Sequence, residues 1–140
     1  MSELRDFDRN LPMALLRARE AVMARFRPIL RAHNITEQQW RVIRALYNER
    51  EGLEVTALSE RTLILMPSLT RILKTLEAEG LVARLKVAGD NRRSLTRLAG
   101  KGEALYTCIA PLSEAEYEKL EAEIGEENLN QLYHILKQIG

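Results

Sequence analysis

The residues that could carry covalent or metal chemistry are few. Cys108 is the only cysteine and cannot form an internal disulfide. With the two histidines, His33 and His134, it makes no cluster at zinc-ligand spacing. No G-x-S-x-G elbow, Walker loop or paired-histidine motif is present, so the chain reads as no enzyme, with no metal and no cofactor. The remaining chemistry is that of charge. Residues 1–54 carry 10 basic and 8 acidic groups, 55–102 carry 9 and 4, and 103–140 carry 2 and 8, giving balances of +2, +5 and −6 beneath a net charge of +1. Counterion release rewards Lys and Arg clustered against phosphates, so the basic middle is the segment expected to meet a polyanion.

Several elements must position those cations. A capping box at Thr36-Glu37-Gln38-Gln39 opens a helix continued by Val42, Ile43, Leu46 and Tyr47, with Ile35 and Trp40 as a hydrophobic staple. Upstream, Leu15, Val22, Phe26, Ile29 and Leu30 trace a long helix from about Leu11 to His33, which Pro28 should kink. After a short helical stretch, VTALSERT, a second helix is opened by Pro67 and closed by Gly80. In it Leu69, Ile72, Leu73 and Leu76 share a core face, while Arg71 and Lys74 point away, flanked by Ser68, Thr70 and Thr75. Such a pair suits a helix-turn-helix whose second helix enters the major groove of double-stranded DNA. The run LVARLK alternates, with Leu81, Ala83 and Leu85 on one face. A turn at Gly89-Asp90-Asn91 and a return strand at Ser94–Arg97 complete a hairpin wing carrying Arg92 and Arg93 at its tip, suited to a minor groove.

Leu105, Ile109, Leu112, Leu120 and Ile124 mark a further helix with a bend at Pro111, and Leu129, Leu132, Tyr133, Leu136 and Ile139 stripe the last. Amphipathic helices at both ends read as a homodimerisation layer; the alternative is that they complete one core. No apolar run of about 18 residues exists for a membrane span, and the charged start MSELRDFDRN does not suit a secretory signal, so a cytoplasmic location is expected.

The stretches TEQQWRVIRAL and LSERTLILMPSLTRILKTLEAEGLVARLKVAGDNRRSLTRL resemble MarR regulators over nearly the whole chain, above all in Pro67-Ser68-Leu69-Thr70-Arg71, Leu76-Glu77, Gly80-Leu81-Val82 and Asp90-x-Arg92-Arg93. The resemblance implies a mainly α, winged helix-turn-helix domain over 1–140. Its DNA-binding lobe would span about 36–98, and helices at about 8–33 and 100–140 would pair it as a homodimer on a pseudo-palindromic operator. It also implies an ion pair between Asp90 and Arg92 that fixes the wing tip. Ala99-Gly100 departs from the pattern, which usually places a capping threonine there. Within the family, LLRAREAVMARFRPILRAHNITEQQWR is most similar to regulators of homoprotocatechuate (4-hydroxyphenylacetate) degradation operons. That similarity implies a repressor released by a phenolic or phenylacetate effector, held between the dimerisation helices and the DNA-binding lobe.

Arg17, Glu20, His33, Trp40 and Arg41 are the candidates to meet an aromatic carboxylate, offering cations and an aromatic wall. Each also has a plainer reading: Arg17 with Glu20 as a surface ion pair, Trp40 as core, His33 as a helix-end residue, Arg41 as solvated. Two other functions are a MarR-like regulator of stress or drug-resistance genes and a redox sensor through Cys108, although a buried inert thiol is the simpler expectation for that residue.

Overall fold

The computed structural model describes residues 4–140, Asn91 through its backbone. After a 3-10 turn at Phe7–Arg9 come α1 (Leu11–Ala32), α2 (Glu37–Tyr47), α3 (Val55–Thr62), α4 (Met66–Ala78), β1 (Val82–Val87), β2 (Asp90–Leu98), α5 (Gly100–Ile124) and α6 (Glu126–Ile139). Neither Pro28 in α1 nor Pro111 in α5 ends its helix. No helix among the described residues is long and apolar enough to cross a membrane. The chain divides into two compact units, one of residues 1–29 with 113–140, the other of residues 30–112. These divisions fall inside α1 and α5.

The 30–112 unit holds most of the core. Thr36 Oγ1 accepts the Gln39 N–H at 3.1 Å and Gln39 Oε1 accepts the Thr36 N–H at 3.0 Å, so the capping box fixes the start of α2. Ile35 and Trp40, on either side of that cap, are both buried. Val42, Ile43 and Leu46 of α2, Leu58 of α3 and Leu69, Leu73 and Leu76 of α4 are essentially inaccessible, each burial stabilising the fold by about 1.5–3 kcal/mol. α4 begins at Met66, so Pro67 stands second rather than first. At its far end Gly80, at φ +76°, donates to the Glu77 carbonyl (3.0 Å) and Leu81 to that of Leu76 (2.9 Å), satisfying two end carbonyls.

The turn between α3 and α4 breaks two local preferences. Leu63 sits in the left-handed region at φ +57°, which costs a branched residue about 1–2 kcal/mol. Leu65 occupies the N-cap of α4 and makes no side-chain cap, forgoing about 1 kcal/mol that Ser or Asp would contribute there. Between them Ile64 is buried, and the Ser59 hydroxyl donates to its carbonyl at 2.6 Å, which pins the turn.

β1 and β2 pair antiparallel, Val82 opposite Leu98 through Lys86 opposite Ser94, and then shift so that Val87 faces Asp90. Residues 91–93 thus form a bulge. The tight turn is Ala88-Gly89, earlier than the expected Gly89-Asp90-Asn91, and β2 is longer than the expected Ser94–Arg97. Nor does burial alternate: Leu81 and Val82 are buried while Leu85 is exposed, because a two-stranded ribbon leaves the core with distance from its base. Leu53 adds a bridge to Thr96, each N–H meeting the other carbonyl at 2.9 Å. A Cβ on neighbouring Gly52 would lie 2.7 Å from the Thr96 carbonyl, so only glycine fits, at φ +95°. Thr96 itself is fully buried and its hydroxyl has no hydrogen-bond partner among the described residues. An unmet buried hydroxyl costs about 1–3 kcal/mol, so Thr96→Val is expected to leave stability unchanged or raise it, read as a higher urea midpoint. A clearly lower midpoint would show that the hydroxyl stabilises the native state.

The unit of residues 1–29 and 113–140 has a thinner core. Phe26 and Leu120 are its only buried apolar residues among those described, Phe26 lying 4.8 Å from Tyr117 between ring centroids. Arg25 is ion-paired with Glu123. Phe7, Leu11, Leu15, Leu16, Leu132 and Leu136 are all exposed, and α6 buries no residue.

Candidate nucleic-acid interface and effector residues

α4 turns its apolar stripe inward and leaves Arg71 and Lys74 exposed. Other cations in this unit are ion-paired: Arg61 pairs with Glu49 at 2.8 Å, Arg41 with Glu37 at 3.3 Å and Arg84 with Glu77 at 3.8 Å. Arg71 and Lys74 have no acidic partner among the described residues, so their charge is available to a polyanion. Ser68, half-buried, borders a hollow of about 340 Å³ with Arg71, Thr75 and residues Thr36, Gln38 and Gln39 of the α2 start. The hydroxylated face needs one correction. Thr70 Oγ1 donates back to the Met66 carbonyl at 2.9 Å and Thr75 Oγ1 to that of Arg71 at 3.2 Å, so their donors are used within the helix.

The wing tip is held differently from the expected ion pair. Asp90 Oδ1 accepts the main-chain N–H of Arg92 at 2.9 Å, because the bulge turns that amide toward the carboxylate. The Arg92 guanidinium is exposed and has no acidic partner among the described residues. Arg93, by contrast, is ion-paired with Glu54 at the N-cap of α3, so of the two tip arginines only Arg92 stands free.

The five effector candidates divide between the two units. Arg17 and Glu20 lie in the first unit and do not pair with each other. Arg17 meets Asp8 at 3.0 Å, and Glu20 meets Arg27 at 3.0 Å and Arg19 at 3.8 Å. The hydrogen bond and charge of Arg27 hold the Glu20 carboxyl below its ordinary value, keeping it ionised and so unfavourable to a carboxylate ligand. In the second unit Trp40 is buried and stacks on Tyr106 at 5.5 Å, and Tyr106 stacks on Tyr47 at 3.6 Å. Arg41 is partly exposed and held: it donates to the Thr62 carbonyl at 3.0 Å, at the end of α3, as well as pairing with Glu37. His33 lines a separate hollow of about 440 Å³ with Leu81, Lys101, Leu105 and Cys108, bordered by neither Trp40 nor Arg41. Cys108 is exposed, contrary to the buried thiol expected, because Ile109 takes the core-facing position beside it.

On α6, Leu129 is half-buried and Leu132, Leu136 and Ile139 remain exposed at 43%, 37% and 58%, without cover in a single chain.

The MarR family model matches residues 33–93, the stretch that carries the helix-turn-helix and the wing as far as its tip. A homoprotocatechuate degradative operon repressor from Escherichia coli is 44% identical over 129 residues, covering 92% of this chain and 86% of that protein. The chain belongs to the MarR family. Among solved structures, NadR in complex with 4-hydroxyphenylacetate is 39% identical with a TM-score of 0.83, covering 99% of this chain and 97% of that one. The transcriptional repressor CouR bound to a 23-mer DNA duplex is 27% identical with a TM-score of 0.86, covering 99% of each chain. MarR proteins are transcriptional regulators, and this chain is one of them, not an enzyme. Sequence reasoning about this MarR chain missed the Glu54–Arg93 pair, the Tyr47–Tyr106–Trp40 stack and the exposed leucines before α4. Only the last left a legible signal, the run Leu63-Ile64-Leu65-Met66 where a polar turn and cap are usual.

Proposed function

We propose that the chain is a cytoplasmic, homodimeric repressor of an aromatic-acid catabolic operon that holds a pseudo-palindromic operator and lets go when a phenolic or phenylacetate ligand binds. The observation that carries this reading is the near full-length identity to a homoprotocatechuate degradative operon repressor. The ligand held by NadR supports the chemical class of the effector. DNA contact is assigned to Ser68, Thr70, Arg71 and Lys74 of the recognition helix α4, and to Arg92 of the wing with Asp90 as its brace. Arg93 reaches a phosphate by exchanging Glu54 for it. Dimerisation is assigned to Leu129, Leu132, Leu136 and Ile139 with the helices at about 8–33 and 100–140.

Of the effector candidates Arg17, Glu20, His33, Trp40 and Arg41, Trp40 offers an aromatic wall already set by its stack on Tyr106. Arg17 and Arg41 receive a carboxylate only by releasing Asp8 or Glu37. Release needs differential affinity: shifting a two-state balance from 1:99 to 99:1 takes about 10⁴-fold tighter binding to the DNA-free state.

The test uses a duplex selected from a random pool by the protein itself. Added 4-hydroxyphenylacetate is expected to free the duplex in a gel shift and to change the emission of Trp40, the only tryptophan. Release by peroxide but by no aromatic acid, abolished in Cys108→Ser, would replace this reading with the thiol sensor that the exposed Cys108 allows. For the wing, Arg92→Ala is expected to lose affinity most on duplexes with A·T-rich flanks, and Asp90→Ala somewhat less, since it removes only the brace. Equal losses whatever the flanks would exclude minor-groove reading.

A further inference from the structure

The front of α4 is apolar where a DNA-reading helix is expected to be polar. Leu65 is 78% exposed and Met66 41%, and both stand at the N-terminal end, the part of a recognition helix that meets base edges. Thr70, one turn on, spends its hydroxyl proton on the Met66 carbonyl, so what it adds outward is chiefly its methyl group. Single exposed leucines are ordinary on a protein surface and need no explanation. Here, however, the apolar edge is continuous with the unpaired cations Arg71 and Lys74. It is also built at the cost of an empty helix cap and a left-handed leucine, two local penalties that stability alone does not account for. Buried Ile64 anchors the turn, so the exposed side chains are presented from a fixed backbone rather than a loose loop.

In the major groove the one apolar feature of a base edge is the C5-methyl of thymine. We propose that Leu65, Met66 and the Thr70 methyl form an apolar reading edge that selects thymines in the operator half-site, next to the base contact of Arg71. The proposal rests on the DNA-binding reading and adds to it which bases are chosen and by what chemistry.

The test uses the full-length protein and the duplex it selects from a random pool. Each thymine of the half-site is replaced in turn by deoxyuridine, which removes the methyl and keeps every hydrogen-bonding group. One or two positions per half-site are expected to lose about fourfold in affinity, the worth of burying one methyl. Changing both half-sites together should compound the loss. The double variant Leu65→Ala/Met66→Ala should lose most of the discrimination between thymine and deoxyuridine duplexes. Thr70→Ser, which keeps the back-bonded hydroxyl and deletes only the methyl, should lower discrimination in part. The replaced side chains are exposed, so melting temperatures should match the parent.

Equal binding of thymine and deoxyuridine duplexes by the parent at every position overturns the proposal while leaving DNA binding intact, and so does discrimination that survives undiminished in the double variant. Should the double variant instead lower the dimer mass in light scattering with no change in discrimination, the edge belongs to a second copy of the chain and the proposal fails. Failure of the parent to bind any duplex at low salt overturns the DNA reading itself.

Discussion

Arg71→Ala is expected to cost about 1–3 kcal/mol of operator affinity, roughly 5- to 150-fold, and to relax base preference at one position in each half-site. The reasons lie in geometry and in charge. Arg71 stands on the face of α4 opposite Leu69, Leu73 and Leu76, which are fully buried and lock the helix in rotation. Its guanidinium has no acidic partner among the described residues, so binding DNA breaks no ion pair first. A planar fork of donors matches the two acceptors of guanine, and an ammonium does not, so Arg71→Lys should recover charge but not specificity. Lys74 gives the contrasting outcome. Its alanine variant should weaken all duplexes alike and flatten the salt dependence by about one unit of slope, as expected when a single phosphate contact is lost. Gel shifts across a salt series with the selected duplex and with single-base variants separate the two. If Arg71→Ala lowers affinity equally for every base at every position, Arg71 is a phosphate contact and the base-reading role is lost.

How much of this was legible in the sequence depends on whether the signal was local. The capping box at Thr36 and the core stripe of α4 are set by residues three or four apart, and both were read from the chain. The wing is legible but its register is not. Residues 91–93 bulge from the ladder, so no alternation of side chains marks where β2 starts, and the turn moves to Ala88-Gly89. Contacts across long sequence separations were invisible. Glu54 meets Arg93 from 39 positions away, and nothing in either local sequence selects that partner over Asp90. The exposure of Cys108 is not legible from residue type, because helical neighbours differ by 100° and Ile109 rather than Cys108 takes the buried side. The effector candidates show the hardest limit. Residue type identified cations and an aromatic ring, but Arg17, Glu20 and Arg41 are each held by charged neighbours that composition does not reveal.

Changing Leu132 and Leu136 together to glutamate is expected to produce a monomer that no longer holds the operator at concentrations where the parent saturates it, although neither side chain contacts DNA in this reading. The stripe of α6 is exposed in the single chain, and only Phe26 and Leu120 are buried apolar residues among those described in its unit. An apolar layer of that extent is stable in water when a second copy covers it. A two-fold interface is isologous, so each leucine counts twice. With about half of each side chain still to be buried, four leucines contribute roughly 3–5 kcal/mol to pairing, about a thousandfold in dissociation constant before the cost of burying charge is added. DNA binding follows because a half-site gives one small module limited affinity, and a pseudo-palindrome asks for two recognition helices about one helical turn apart. The 30–112 unit keeps its own core, so its helical signal should persist in circular dichroism and separate dissociation from unfolding. Light scattering and gel shifts at matched concentrations read the result. A parent protein that is monomeric at micromolar concentration and binds one half-site as tightly as the full palindrome would overturn the dimer, and with it the role assigned to Leu129, Leu132, Leu136 and Ile139.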